Sequence, residues 1–188
     1  MVAATGRAVI VEIRNREDLD HWRQELLHNT SLGVGAVQAL GGSPLEILAS
    51  VKFDPIGRHP LEDRPLNFIE QVNQTFTYWV ALRATELLLD WHPEVGGFRL
   101  APGAHAPRGT LDIESLDAGL VGAETFAGPP SNNRKLAGDL GKLAARPEEH
   151  RYVFFTAPKF NETLRQLKLE KNGVQVWSLA LTEHPTTP

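Results

Sequence analysis

Two carboxylates, Asp112 and Glu124, are the residues of this sequence best placed by type and spacing to do chemistry. Over Thr110 to Leu116, strand alternation puts Asp112 and Glu114 on one face and Leu111 and Ile113 on the other. Over Leu120 to Ala127, Gly122, Glu124 and Phe126 share a face. If these segments pair, Asp112 and Glu124 converge at a sheet edge as hard oxygen ligands for Mg²⁺ or Mn²⁺. A divalent ion held between them would activate water and neutralise charge on a phosphodiester. The alternative is a pair of solvated surface acids.

The elements that must position these acids follow from periodicity and from breakers. Asn67 to Trp91 reads as a long helix, with Ile69, Val72, Phe76, Trp79, Val80, Arg83 and Leu87 in one broad stripe and Pro93 as its stop. Three short extended segments follow, Phe98 to Leu100, Thr110 to Leu116 and Leu120 to Ala127. A helix from about Asn132 to Ala145 carries Leu136, Leu140 and Leu143 on one side and ends before Pro147. Tyr152 to Thr156 is aromatic and β-branched, as a strand requires. The order from residue 67 is therefore αβββαβ.

Upstream, a strand over Ala8 to Ile13 leads through Asn15, a helix N-cap, to a cover helix from Arg16 to about His28. A glycine-rich stretch, Gly33 to Gly42, precedes Leu45 to Phe53, whose alternation predicts a strand. Pro55, Pro60 and Pro65 mark a linker-like segment over Asp54 to Leu66. Downstream, Leu164 to Glu170 and Val174 to Leu181 flank Asn172-Gly173, the preferred type I′ hairpin turn. The expectation is an α/β fold with a mixed sheet flanked by helices.

An αβββαβ order with Asp on the second strand and Glu on the third resembles the PD-(D/E)xK nuclease superfamily, the restriction-endonuclease-like fold. The resemblance spans residues 67 to 158 and implies metal ligation by Asp112, in Gly109-Thr110-Leu111-Asp112-Ile113, and by Glu124, in Val121-Gly122-Ala123-Glu124-Thr125-Phe126. The Pro that precedes the first acid in that family is absent, and Phe126 stands where the family has a lysine. In some members the lysine is displaced onto the following helix, which points to Lys135; on that helix Lys135, Asp139, Lys142 and Arg146 form a polar stripe. The family also draws an acid from its first helix, for which Glu70 is favoured over Glu86, the latter lying near Arg83 as a candidate buried ion pair. On this reading the chain is one domain, 1–188, with an N-terminal elaboration (1–66), a nuclease-like core (67–158) and a C-terminal hairpin (159–188). Its function is hydrolysis of nucleic-acid phosphodiesters with Mg²⁺ or Mn²⁺, with Asp112, Glu124, Lys135 and Glu70 as catalytic residues. The alternative is a catalytically inactive module of the same fold that binds a protein partner or a second copy of itself.

Composition narrows the field around that reading. The 188 residues include no cysteine, which excludes disulfides, thiol nucleophiles and thiolate metal sites. No long apolar run suggests a leader or a membrane span, so a cytoplasmic protein is expected. The net charge of −4 hides an asymmetry: residues 130–171 hold nine Lys and Arg against five Asp and Glu, a segment suited either to a polyanion such as nucleic acid or to a solvated face. The histidines, His21, His28, His59, His92, His105, His150 and His184, show no metal-binding spacing. Trp79, Phe154 and Phe155 fall in periodic segments that predict core positions rather than stacking platforms.

Overall fold

The computed structural model describes residues 9–103, 109–132 and 134–181, so His105 and His184 lie outside the described residues. The elements run β1 (Val11–Ile13), α1 (Arg16–Gln38), α2 (Pro44–Phe53), β2 (Gly57–Arg58), β3 (Pro65–Leu66), α3 (Phe68–Trp91) and β4 (Phe98–Leu100). There follow β5 (Ile113–Ser115), β6 (Val121–Ala127), α4 (Lys135–Ala144), β7 (His150–Thr156), β8 (Leu164–Arg165) and β9 (Gln175–Ser178). Seven strands form one mixed sheet in the order β1-β4-β5-β6-β7-β9-β8, and β2 and β3 form a separate small ladder. The protein is thus α/β, with four α-helices among the described residues.

Strand alternation divides the interior into two cores on opposite faces of the sheet. From β7, Tyr152 and Phe154 join a core with Leu19 and Leu26 of α1 and Leu82 and Leu88 of α3. Val153 and Phe155 face the other way, into a core built with Leu136, Leu140 and Leu143 of α4. The antiparallel turns β4-β5-β6 are followed by α4 as the crossover to β7, which pairs parallel with β6. A parallel neighbour needs such a crossover because a hairpin reverses the chain.

The N-terminal region departs from the expectation at two places. Leu45 to Phe53 is helix α2, not a strand, because its start is strongly capped. Glu46 Oε2 accepts from Ser43 N at 2.8 Å and from Ser43 Oγ at 2.7 Å, while Ser43 Oγ accepts from Glu46 N, and Pro44 takes the first helical position. The second departure is α1, which continues past His28 through Gly33 to Gln38. Glycine is a poor helix former, but here α1 approaches α3 so closely that a Cβ on Gly33 would lie 1.9 Å from Gln71 Oε1. Gln71 fastens the crossing by donating from Nε2 to Asn29 O at 2.9 Å and accepting from Arg58 N at 2.9 Å.

At the C-terminus Asn172 and Gly173 both have positive φ, 56° and 72°, as a type I′ turn requires. The hairpin is interrupted by a 3₁₀ turn at Leu167–Leu169, which leaves Leu164 and Arg165 paired with Ser178 and Trp177 and a single bridge between Lys171 and Val174 beside the turn. β9 also pairs parallel with β7, which extends the sheet beyond the αβββαβ unit.

Candidate active site

Pairing of β5 with β6 brings the two acids together. Ile113 lies opposite Ala123 and Glu114 opposite Gly122, so continuing the register one step sets Asp112 level with Glu124. Asp112 sits just before β5 rather than inside it, and its Oδ2 accepts from Thr125 N at 2.7 Å and Thr125 Oγ1 at 3.0 Å. Its carboxylate is thereby oriented by the residue next to Glu124. Glu124 is on the α4 side of β6 with its side chain only 4% exposed.

α4 supplies the cations. Its apolar stripe of Leu136, Leu140 and Leu143 is buried against the sheet, and Lys135 and Lys142 reach Glu124 on β6, an interior strand of the sheet rather than the edge position expected for the two acids. Lys142 Nζ donates to Glu124 Oε1 at 2.5 Å and to Thr110 O at 2.7 Å. Lys135 Nζ donates to Asp139 Oδ1 at 2.7 Å and stands 3.9 Å from Glu124 Oε2. Lys142, rather than the expected Lys135, is therefore the direct partner of the second acid. Its spacing of seven from Lys135 put it on the same helical face, but no local signal ranked the two.

Electrostatics at this cluster are strained by burial. Burial pushes the Glu124 carboxyl up from 4.5 to about 7, the charge of Asp112 adds to the rise, and Lys142 opposes it. Burial also raises Asp139, against the pull of Lys135. For Lys135, burial acts downward but is outweighed by Asp139, Asp112 and Glu124, so its ammonium is held more firmly than usual. Asp139 Oδ2 is buried without a hydrogen-bond partner among the described residues.

Asp112, Glu124, Lys135 and Lys142, but not Asp139, line a cavity of about 630 Å³ whose α3 side is formed by Asn73, Phe76 and Thr77. Phe126 forms an apolar wall, stacked on Phe155 with ring centroids 5.4 Å apart. Among the described residues no three His, Cys, Asp or Glu side chains cluster as metal ligands. Asp112 and Glu124 remain a two-carboxylate donor set beside open volume, which fits a hydrated Mg²⁺, an ion that keeps several waters and uses one or two carboxylates.

The other expected site residues fall elsewhere. Glu70 lies in the first turn of α3, one turn before Asn73, and is not among the cavity-lining residues; its Oε1 accepts from Gln74 Nε2 at 3.2 Å. Glu86 is enclosed by Arg16, Arg23 and Arg83 in an ion-pair network between α1 and α3. The basic 130–171 segment spends much of its charge internally, through Lys135 with Asp139, Lys142 with Glu124, Arg146 with Glu114 and Glu148, and Arg165 with Glu170. His59 is buried, with Nδ1 accepting from Leu61 N at 3.2 Å. His92 bonds Glu94 and Tyr152. Among the described residues no helix is long and apolar enough to cross a membrane.

Comparison of the chain with protein-family models, with curated proteins and with solved structures returns no match.

Proposed function

We propose that this protein is a divalent-metal-dependent hydrolase of nucleic-acid phosphodiesters on a restriction-endonuclease-like core. The observation that carries the reading is the convergence of Asp112, Glu124 and Lys142 in one cavity. Support comes also from the succession α3-β4-β5-β6-α4-β7, with the acids at the second and third strands and the lysines on the helix that follows.

Asp112 and Glu124 are the residues that would hold Mg²⁺ or Mn²⁺, which when bound polarises a phosphoryl oxygen and lowers the pKa of its water. Thr125 keeps the Asp112 carboxylate aimed into the cavity through its two hydrogen bonds. Glu124 must shed its proton to act as a ligand, a step that burial and Asp112 oppose and Lys142 assists. Lys142, anchored on Thr110 O, has further donor capacity on its ammonium with which to meet a non-bridging phosphate oxygen or the attacking water. Lys135 adds a second positive charge from the same helix face. Phe76 and Phe126 give the cavity apolar walls.

Incubating the protein with single- and double-stranded DNA and RNA in millimolar Mg²⁺ or Mn²⁺, and again in chelator, tests the reading. Metal-dependent cleavage that is lost in Asp112→Asn is the expected outcome. No cleavage of any substrate, with no metal effect on thermal unfolding, would instead leave an inactive protein-binding module in which Lys142 permanently neutralises Glu124.

A further inference from the structure

The cavity that holds Asp112, Glu124, Lys135 and Lys142 has a second wall of different chemistry. Asn73, Phe76 and Thr77 line it from α3, and their spacing of three and four places them on one helix face. That wall carries no charge. Phe76 is 38% exposed. The Asn73 side-chain amide is exposed and has no hydrogen-bond partner among the described residues, so both its donor and its acceptor are open to a ligand. Thr77 Oγ1 spends its proton on Asn73 O, at 2.9 Å, and keeps lone pairs with which to accept.

We infer that this α3 wall receives one unpaired base of the strand whose phosphate lies at Asp112, Glu124 and Lys142, which makes the substrate single-stranded nucleic acid. The inference rests on the proposed function for the phosphate and on the accessible groups of α3 for the base. Charge divides the cavity: the acids and lysines of the sheet and α4 take the metal and the phosphodiester, so the part of the substrate that meets α3 is neutral. It must offer a flat face to Phe76 and a hydrogen-bonding edge to Asn73 and Thr77. A nucleobase has both. Bases stack on aromatic side chains in a sequence-tolerant way, and an asparagine amide matches the neighbouring donor and acceptor on a base edge. An alkyl substituent on the phosphate would give the Asn73 amide no partner. Phosphate and base are held in one volume of about 630 Å³, a size that encloses a single small ligand. In a duplex the faces of a base are stacked and its edge is paired, so it reaches such a wall only after costly extrusion, whereas a single strand has its bases free.

The test measures binding, in Ca²⁺, of three labelled ligands of equal length: a wholly abasic strand, oligothymidine, and the same oligothymidine annealed to oligoadenine. Oligothymidine should bind about tenfold more tightly than the abasic strand, as base–aromatic stacking provides, and the duplex should lose that gain. Phe76→Leu, which keeps apolar bulk without the ring, should abolish most of the gain, and Asn73→Ala should reduce it. Both positions are exposed, and an unfolding midpoint for each variant checks that the chain still folds. Equal affinity for the abasic strand and oligothymidine, no binding of any ligand, a duplex bound as tightly as the single strand, or a gain intact in both variants would overturn the inference. Metal-dependent hydrolysis of a small baseless phosphodiester by the parent protein reads the acids and lysines without the α3 wall. Hydrolysis with no base-dependent gain would therefore defeat the inference alone, and a gain with no hydrolysis of any substrate would defeat the proposed function.

Discussion

Lys142 Nζ lies 2.5 Å from Glu124 Oε1, whereas Lys135 Nζ stands 3.9 Å from Glu124 Oε2 and gives its short contact to Asp139. If a lysine from α4 serves the role that Phe126 cannot, Lys142 is the one in position. Lys142→Ala should lower metal-dependent hydrolysis on the order of a hundredfold, the loss typical of a transition-state electrostatic contact. Lys135→Ala should cost on the order of tenfold or less, because its charge acts at longer range. Single-turnover rates of the two variants decide the matter, and equal losses would remove the distinction.

Metal affinity should be visible as stability. A ligand that binds only the folded state at tenfold over its Kd adds about 1.4 kcal/mol. Thermal unfolding in millimolar Mn²⁺ should show a raised midpoint in the parent protein and an unchanged one in Asp112→Ala. A midpoint indifferent to Mn²⁺ in the parent would count against Asp112 and Glu124 as ligands.

Burial of Glu124 has a stability consequence with a definite sign. Its carboxyl ionises near 4.5 when unfolded and at about 7 when folded, so the folded state binds the extra proton. Stability contributed by the neutral form is complete below 4.5 and is lost as pH rises through about 7, a loss of about 3 kcal/mol. Glu124→Gln should therefore be more stable than the parent at pH 8 by up to that amount, and similar to it at pH 4.5. Urea denaturation at the two pH values measures the difference.

His59 acts in the opposite direction. Burial, aided by the charge of Arg64, lowers it from 6.5 to about 4, so it is neutral in the folded chain. The associated stability is intact above 6.5 and is lost as pH falls toward 4, again by about 3 kcal/mol. The His59 and Glu124 contributions oppose one another between 4.5 and 6.5. Glu124→Gln should expose the rising slope and His59→Asn the falling one, in pH-dependent unfolding over that interval.

Gly33→Ala offers a test of the α1–α3 crossing. At an ordinary helix position alanine would stabilise, by about 1 kcal/mol. Here its Cβ would meet the Gln71 side chain, and overpacking of this kind costs about 1–3 kcal/mol. A drop in unfolding midpoint is expected, and Gly33→Ala combined with Gln71→Ala should recover part of it.

Local sequence determined much of the scaffold. Pro93 and the Leu136-Leu140-Leu143 stripe of α4 are short-range signals that took effect where they lie, whereas α3 formed over the expected span with Ile69 and Phe76 of its expected stripe exposed and Tyr78, Leu82 and Leu88 buried instead. Asn172-Gly173 likewise set its turn because both residues tolerate positive φ. At α2 two local signals competed: the alternation of Leu45, Ile47, Ala49, Val51 and Phe53 suggested a strand, while Ser43-Pro44-Leu45-Glu46 carried the capping box that prevailed. The continuation of α1 through Gly33 was not legible, because what favours glycine there is the side chain of Gln71 on another helix.

At the candidate site, residue types and strand order already singled out Asp112 and Glu124. Their meeting depended on the β5–β6 register, in which a one-residue slip would have turned Glu124 to the opposite face. The choice between Lys135 and Lys142 depended on how α4 is rotated and shifted over the sheet, which its leucines set by packing against Val153 and Phe155. Glu70 stayed one turn short of the cavity for the same kind of reason, the axial position of α3 relative to the strands. Periodicity specifies which face a residue occupies. The height at which two faces meet is decided by side-chain packing between segments distant in sequence, and that is where tertiary structure selected Lys142 to face Glu124.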